Sequence, residues 1–442
     1  MIGKDTKTKF LFYQPYECAA LGEYLEKVAE KGWLLVSATS FVFRFKRIEP
    51  KKLKYSVEVV KKVSMFDRKN SDAALEYREY CTAAGWNFVC EVGKLQVFYT
   101  EYDDKVIIPL HTDEKEKFKL IYKYFSSNII NQIVIVLCGI FFLYTQLGIS
   151  LDYTFSSNFA LFAVLMWIFL LGINIIEITN FLIWGIKYLK RKKDDEPIKY
   201  SGYKQFRIKS LIKLIFEVIV ISSIVIYFIF DLLKNNTSGE TLFLIFIVPI
   251  VINIGTAVFI RISKLSKKSN IGITIGGFLV SILVVIMLMA MFVINNEFIN
   301  EKIGTTENKT LTLLDFGIEN KDEKTNPFIY QESILAKRED YSYENGEEKL
   351  SYDVFESNHP WVIKFYEASI LRRYDRLVKK KEMKDLKLNE VKFQGMNNIK
   401  VYQTDNKRKF ILVSQNRVVE TSKNLKNFND EEFLDIVYKK LF

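Results

Sequence analysis

Between Ile129 and Val293 the chain carries five apolar stretches separated by short polar connections. They are Ile129–Leu147, a run from Phe159 toward Lys187, Leu211–Leu233, Leu242–Ile260 and Ile271–Val293. A helix needs about 20 such residues to cross a bilayer core. Lipid offers backbone N–H and C=O groups no partner, so runs of this length are restricted to helices that satisfy themselves. The expected fold class is an α-helical membrane bundle of five spans flanked by two α+β domains. The expected boundaries are 1–126, 127–294 and 295–442.

Charge sets the expected orientation. The chain has 442 residues, a net charge of +11 and 26% charged residues, and these separate into blocks. Lys and Arg crowd Lys187–Lys209 and Arg261–Lys268, whereas GISLDYTFSSN and KNNTSGE carry almost none. Basic loops stay in the cytoplasm. The prediction is a multi-pass protein of the cell membrane with a cytoplasmic N-terminus and an extracytoplasmic C-terminus. The opening MIGKDTKTKFLFYQPYE has no apolar leader, so the N-terminal domain is expected to remain where it is made. Without a zinc-finger, helix-turn-helix or RNA-recognition signature, the basic balance is not read as nucleic-acid binding.

Ionisable residues inside spans need an explanation. Glu177 lies in the second stretch, between Asn174 and Asn180; Lys213 and Glu217 lie one turn apart in the third. One reading is a proton or cation site in which Glu177 and Glu217 approach, in a transport or channel component. The other places Glu177 in the last turns of a long span, paired with Lys213, and is preferred. Gly272 and Gly276 form a G-x-x-x-G that lets a second helix approach closely. Packing within the bundle is preferred there, with a homo-oligomer or a membrane partner protein as the alternative. Pro249 and Asn253 are expected to bend the fourth span or to bond across helices.

The N-terminal region is a duplication. EKGWLLV and AAGWNFV repeat one pattern, in which a helix ends at Gly and Trp opens the returning strand. Around Gly32-Trp33 the order is strand over Lys9–Gln14, helix, strand, strand. Around Gly85-Trp86 it is the same, with Ser71 or Asp72 as helix N-cap. The glycines supply a left-handed turn. Both tryptophans are expected to be buried over the helix ends, and the two units to pair into one antiparallel sheet with both helices on one face. The other face is then buried, or lines a cleft for a small-molecule ligand.

EYLEKVAEKGW, AAGWNFVCEVGKLQVFYT and IPLHTDEKEKFKLIYKYF, followed by spans, resemble a bacterial membrane-protein family known as domain of unknown function 2812. The resemblance covers about the first quarter of the chain. It implies a cytoplasmic module joined to membrane helices and assigns no catalytic residue. Within it, Thr112 is expected to cap the helix that feeds the first span, and His111 is read as structural.

The region from Asn295 to Phe442 reads as a compact α+β domain. REDYSYENGEEKLSYDVFES is a hairpin with a type I′ turn at Asn345-Gly346. HPWVIKFYEASILRRYDRLVKKK is a helix with an apolar face of Val362, Phe365, Ile370 and Leu377. Three strands with turns at Asp405-Asn406 and Gln415-Asn416 follow, then an amphipathic helix. Arg372, Arg373, Arg376 and Lys379–Lys381 make a basic helix end, read as a solvated terminus or as a surface for anionic headgroups or wall polymers. DFG at Asp315–Gly317 lacks the other kinase motifs.

No catalytic, cofactor or metal residues are predicted. Two histidines and four cysteines without a C-x-x-C offer neither a triad nor a zinc site. The preferred function is non-enzymatic ligand sensing or signal relay across the membrane. The alternatives are transport using Glu177 or a passive assembly scaffold. The lipid bilayer is the one partner expected in every case.

Overall fold

The computed structural model describes residues 5–64, 66–92, 94–101, 114–191, 202–233, 237–263, 265–300, 311–318, 329–379, 383–393, 395–396, 398–425 and 427–442. His111 and Thr112 lie outside them. The chain forms two compact units, one of residues 1–136 with 171–291, the other of 137–170 with 292–442.

In the first unit β1 (Thr6–Phe10), α1 (Cys18–Ala29), β2 (Trp33–Ala38) and β3 (Val42–Arg47) precede β4 (Leu53–Val59), α2 (Asp72–Ala83), β5 (Asn87–Val92) and β6 (Leu95–Glu101). The duplicated strand-helix-strand-strand order is therefore present. The single sheet is not: β1-β3-β2 and β4-β6-β5 are two separate antiparallel sheets of three strands each. Bulges account for the break. The register slips between Leu35 and Ser37 in β2 and between Phe88 and Cys90 in β5, the same place in each repeat. A bulge bends and twists its strand, which ends ladder formation along that edge.

Each helix ends on a glycine of positive φ, +80° at Gly32 and +88° at Gly85. At Gly85 the closure is a Schellman pair, Trp86 N to Cys81 O at 3.0 Å and Gly85 N to Thr82 O at 3.0 Å. At Gly32 a Cβ would lie 2.8 Å from Ile48 O, so the site is closed to side chains twice over.

The repeats are equal in order but not in burial. Ala20, Leu21, Tyr24, Leu25 and Val28 of α1 are buried as their spacing predicts, whereas α2 buries only Ala74 and Cys81. Leaving water is worth ~2 kcal/mol for a large apolar side chain, so α1 is the central helix. It also reaches the other repeat: Glu26 Oε1 accepts from Tyr55 N at 3.1 Å, protecting edge strand β4. Trp86 is buried as expected, against Cys81 and Phe98. Trp33 is only half-buried, with Lys7 Nζ 5.3 Å and Arg47 Cζ 5.9 Å from its ring centroid. Its helix end is covered by Ile48 and Pro50 instead.

The helical region contains α3 (Glu114–Gly148), α4 (Leu151–Ser156), α5 (Asn158–Arg191), α6 (Tyr203–Leu233), α7 (Thr237–Ile262) and α8 (Lys267–Asn300). Among the described residues three segments are long and apolar enough to cross a membrane: Asn158–Lys190, Tyr203–Tyr227 and Lys267–Leu288. Gln132–Gly148 and Ile247–Ile260 are shorter apolar segments. In α8 the close approach is made by Gly277: a Cβ there would stand 2.5 Å from Thr256 Cγ2 of α7. A Cβ on Gly272 or Gly276 would meet nothing within 4 Å. The G-x-x-x-G pair is thus not the packing seam between these helices; Gly277 is. Asn253 Nδ2 donates across it to Ser281 Oγ at 3.3 Å.

The second unit is built on one antiparallel sheet of seven strands in the order β10-β11-β12-β13-β9-β8-β7. These are β7 (Ile329–Glu332), β8 (Lys337–Asn345), β9 (Glu348–Glu356), β10 (Leu388–Val391), β11 (Lys400–Thr404), β12 (Lys409–Val413) and β13 (Arg417–Asn424). α9 (Pro360–Lys379) and α4 cover one face; α10 (Asp430–Leu441) covers the other. The hairpin turn sits one residue later than expected. Asn345 pairs with Glu348, so Gly346-Glu347 form the loop, and of these only Gly346 has positive φ. That is the pattern of type II′, not I′. The buried face of α9 is Val362, Ile363, Tyr366, Ile370 and Tyr374; Phe365 points to the surface. Asp315–Gly317 lie at the end of a short 3-10 helix: Asp315 closes its N-terminal capping box with Thr312 and accepts from Lys440 Nζ at 2.8 Å through Oδ1, while Gly317, φ +70°, ends it.

Candidate functional site

Among the clefts where the duplicated domain meets the helices, two are lined by charged side chains. The first starts where β1 ends early. The strand expected to reach Gln14 stops at Phe10, and Pro15–Glu17 turn as a short 3-10 helix. Glu17 Oε2 accepts from Gln14 N at 3.1 Å, and Phe12 N donates to Ser210 Oγ of α6 at 2.8 Å. The Tyr16 ring enters an aromatic box of Phe125, Phe181 and Trp184, with centroids 5.2, 6.2 and 5.7 Å away.

Beside that box lies a cleft of about 260 Å³, lined among others by Phe12, Tyr16, Glu17, Glu177, Lys209 and Lys213. The Glu177 carboxylate pairs with Lys213 Nζ through Oε1 and accepts from Gln132 Nε2 through Oε2 at 2.6 Å. Lys213 Nζ also stands 5.6 Å from the Phe12 ring centroid. Asn158 to Glu177 is 19 residues, about 28 Å of helix, close to the full depth of a bilayer core. Glu177 falls within the membrane-length segment Asn158–Lys190, 13 residues before its end. Glu217 is brought to neither residue: it does not line the cleft and makes no ion pair among the described residues. One turn on α6 rotates it about 40° from Lys213. Burial pushes the Glu17 carboxyl above its ordinary value, against the pull of the Gln14 N–H and of Lys209 Nζ 3.8 Å away.

The second place is a cleft of about 460 Å³ where β2 and β5 come together. The first repeat lines it with Ser37, Thr39 and Arg44; the second with Asp67, Lys69 and Glu91; α7 adds Val258 and Ile262. Its acids are occupied. Asp67 Oδ2 accepts from Ser64 N at 2.7 Å, and Glu91 is held by Arg78. Arg44 and Lys69 are exposed and carry no ion pair among the described residues. The signal for this cleft in the sequence was the alternation FVFRFKR, which puts Arg44 on the face opposite Phe43 and Phe45. Among the described residues no cluster of His, Cys, Asp and Glu is arranged to hold a metal ion.

The fold and these sites define a class: apolar helices of membrane-spanning length with a duplicated α+β module packed on their ends. Residues 21–133 match the family model described as Protein of unknown function (DUF2812), so this part of the chain carries that family's domain. The match begins in α1, takes in both Gly-Trp units and ends within α3. No curated protein and no solved structure matches the chain.

Proposed function

We propose that this chain is a non-enzymatic, five-span membrane protein that senses a small anionic ligand in its duplicated domain and relays binding to the helices. The spans are α3, α5, α6, α7 and α8, with the apolar segments Gln132–Gly148 of α3 and Ile247–Ile260 of α7 completing the three longer ones. Lysine and arginine clustering at Lys187–Lys209 and Arg261–Lys268 favours a cytoplasmic duplicated domain and a C-terminal domain on the opposite side.

One observation carries the sensing reading. The cleft where β2 and β5 meet is lined by both repeats and by α7, and its charged side chains without an ion pair among the described residues are the cations Arg44 and Lys69. A ligand carboxylate or phosphate held by both cations draws the two repeats together beside Val258 and Ile262 of α7. Binding shifts a helix equilibrium only through such differential contacts. Transport through Glu177 is the weaker reading, since both of its carboxylate oxygens already hold a protein partner.

The test is a thermal-shift screen of small carboxylates and phosphates on the full chain, against Arg44→Ala/Lys69→Ala. A hit lost in the double variant is then followed by hydrogen exchange. Unchanged exchange in α7 at saturation would end the relay proposal.

A further inference from the structure

The seven-stranded sheet buries one side of α9, and the opposite side is a continuous stripe. At 100° per residue, positions 361, 365, 368, 372, 376 and 379 fall on one line of the helix. They are Trp361, Phe365, Ala368, Arg372, Arg376 and Lys379, and all six are exposed. Trp361 and Phe365 remain 48% and 57% accessible, and their rings meet edge-on at 6.2 Å, so they form one exposed aromatic pair. Arg373, one residue away in sequence, turns inward to Glu420 and is not part of the stripe.

Both ends of α9 are tied to the ends of apolar helices. The Trp361 ring packs edge-on against Phe155 at 5.9 Å, and Phe155 lies three residues before α5 begins. Ile334, 75% exposed, donates its N–H to Asn158 Oδ1, at the first residue of the membrane-length segment Asn158–Lys190. At the other end Arg376 Nη2 donates to Gly148 O, the last residue of α3. A helix anchored at each end to the terminus of a span lies along the membrane surface, with the sheet above it.

We propose that α9 is an interfacial membrane helix: Trp361, Phe365 and Ile334 enter the headgroup boundary, while Arg372, Arg376 and Lys379 bind phosphates of anionic lipid. This rests on the reading of α3 and α5 as spans. The occupant is a bilayer because the stripe continues from the point where a span enters it. The chemistry agrees: amphipathic rings belong at the interface and basic side chains on anionic headgroups.

The experiment uses the full chain in nanodiscs of phosphatidylcholine, with or without phosphatidylglycerol. Wild-type minus Trp361→Phe fluorescence isolates Trp361, and Phe365→Trp in the Trp361→Phe background is a second reporter should the first be silent. Lipid brominated near the glycerol is expected to quench this signal more than lipid brominated at the chain end, with little quenching by aqueous acrylamide. Phosphatidylglycerol should deepen the shallow quenching, and Arg372→Glu/Arg376→Glu should abolish that gain. Strong acrylamide quenching without lipid quenching would overturn the proposal in favour of a solvated face. Protection from both quenchers, with a doubled particle mass, would overturn it in favour of a second copy. Lipid quenching indifferent to phosphatidylglycerol and to the double variant would overturn the phosphate contacts. Intact lipid quenching in a chain that fails the Arg44 and Lys69 ligand test would leave this proposal standing and remove the sensing one.

Discussion

Asp353 of β9 stands directly opposite Asp340 of β8, and its other cross-strand neighbour, Glu420 of β13, is also a carboxylate. Three acids therefore run side by side across the sheet beneath α9. Arg338 neutralises Asp340 and reaches Asp152 of α4, and Arg373 neutralises Glu420. No ion pair is made to Asp353 among the described residues. Burial, then the neighbouring Asp340 and Glu420, push its carboxyl up to about 7.

The consequence for stability has a definite sign. The folded Asp353 holds its proton to higher pH than the unfolded chain does. Its contribution is therefore present below the ordinary aspartate range and is lost as pH rises through about 7. Asp353→Asn should flatten the fall in stability between mildly acidic and alkaline pH and stabilise the protein at pH 8. The gain is expected on the order of 2 kcal/mol. Chemical denaturation followed across pH checks it; an unchanged pH profile in the variant would refute the assignment.

The Glu177–Lys213 pair should behave as a partly buried ion pair. Lys213→Ala leaves a carboxylate in an apolar seam and should cost ~3 kcal/mol, whereas Glu177→Gln with Lys213→Met should recover most of it. Thermal unfolding in detergent reports both. Loss of the pair should also raise amide exchange at Phe12, whose N–H is bound to Ser210 on the same helix.

The three glycines of α8 are predicted to differ sharply. Gly277→Ala should destabilise by ~1–3 kcal/mol, because its methyl group meets Thr256 Cγ2. Gly272→Ala and Gly276→Ala should be neutral or stabilising by up to ~1 kcal/mol, since alanine is the better helix former and space is open there. Thr256→Ala should rescue Gly277→Ala. Equal losses at all three positions would show that the packing seam has been misplaced.

The broken symmetry of the repeats is testable at one pair of residues. Glu26 lies six residues before Gly32 and Glu79 six before Gly85. Glu26 accepts the Tyr55 N–H, while Glu79 is exposed. Glu26→Ala should cost ~1–2 kcal/mol and speed exchange of the Tyr55 amide. Glu79→Ala should change stability by less than ~0.5 kcal/mol.

Much of this protein was legible in the order of its residues, because the rules involved are local. Apolar run length predicts helices, a glycine after a helical pattern predicts its stop, and the amphipathic pattern at the C-terminus predicts α10. The duplicated element order and the buried face of α1 follow from spacing alone. What spacing does not encode is which surfaces meet. Bulges at equivalent points of β2 and β5 divided one expected sheet into two, and α1 crossed to the second repeat. Glu217, one turn along α6 from Lys213, was left outside the cleft, and a close approach to α7 singled out Gly277 over Gly272 and Gly276. These outcomes depend on contacts between residues tens to hundreds apart, where close packing decides among arrangements that every local rule permits.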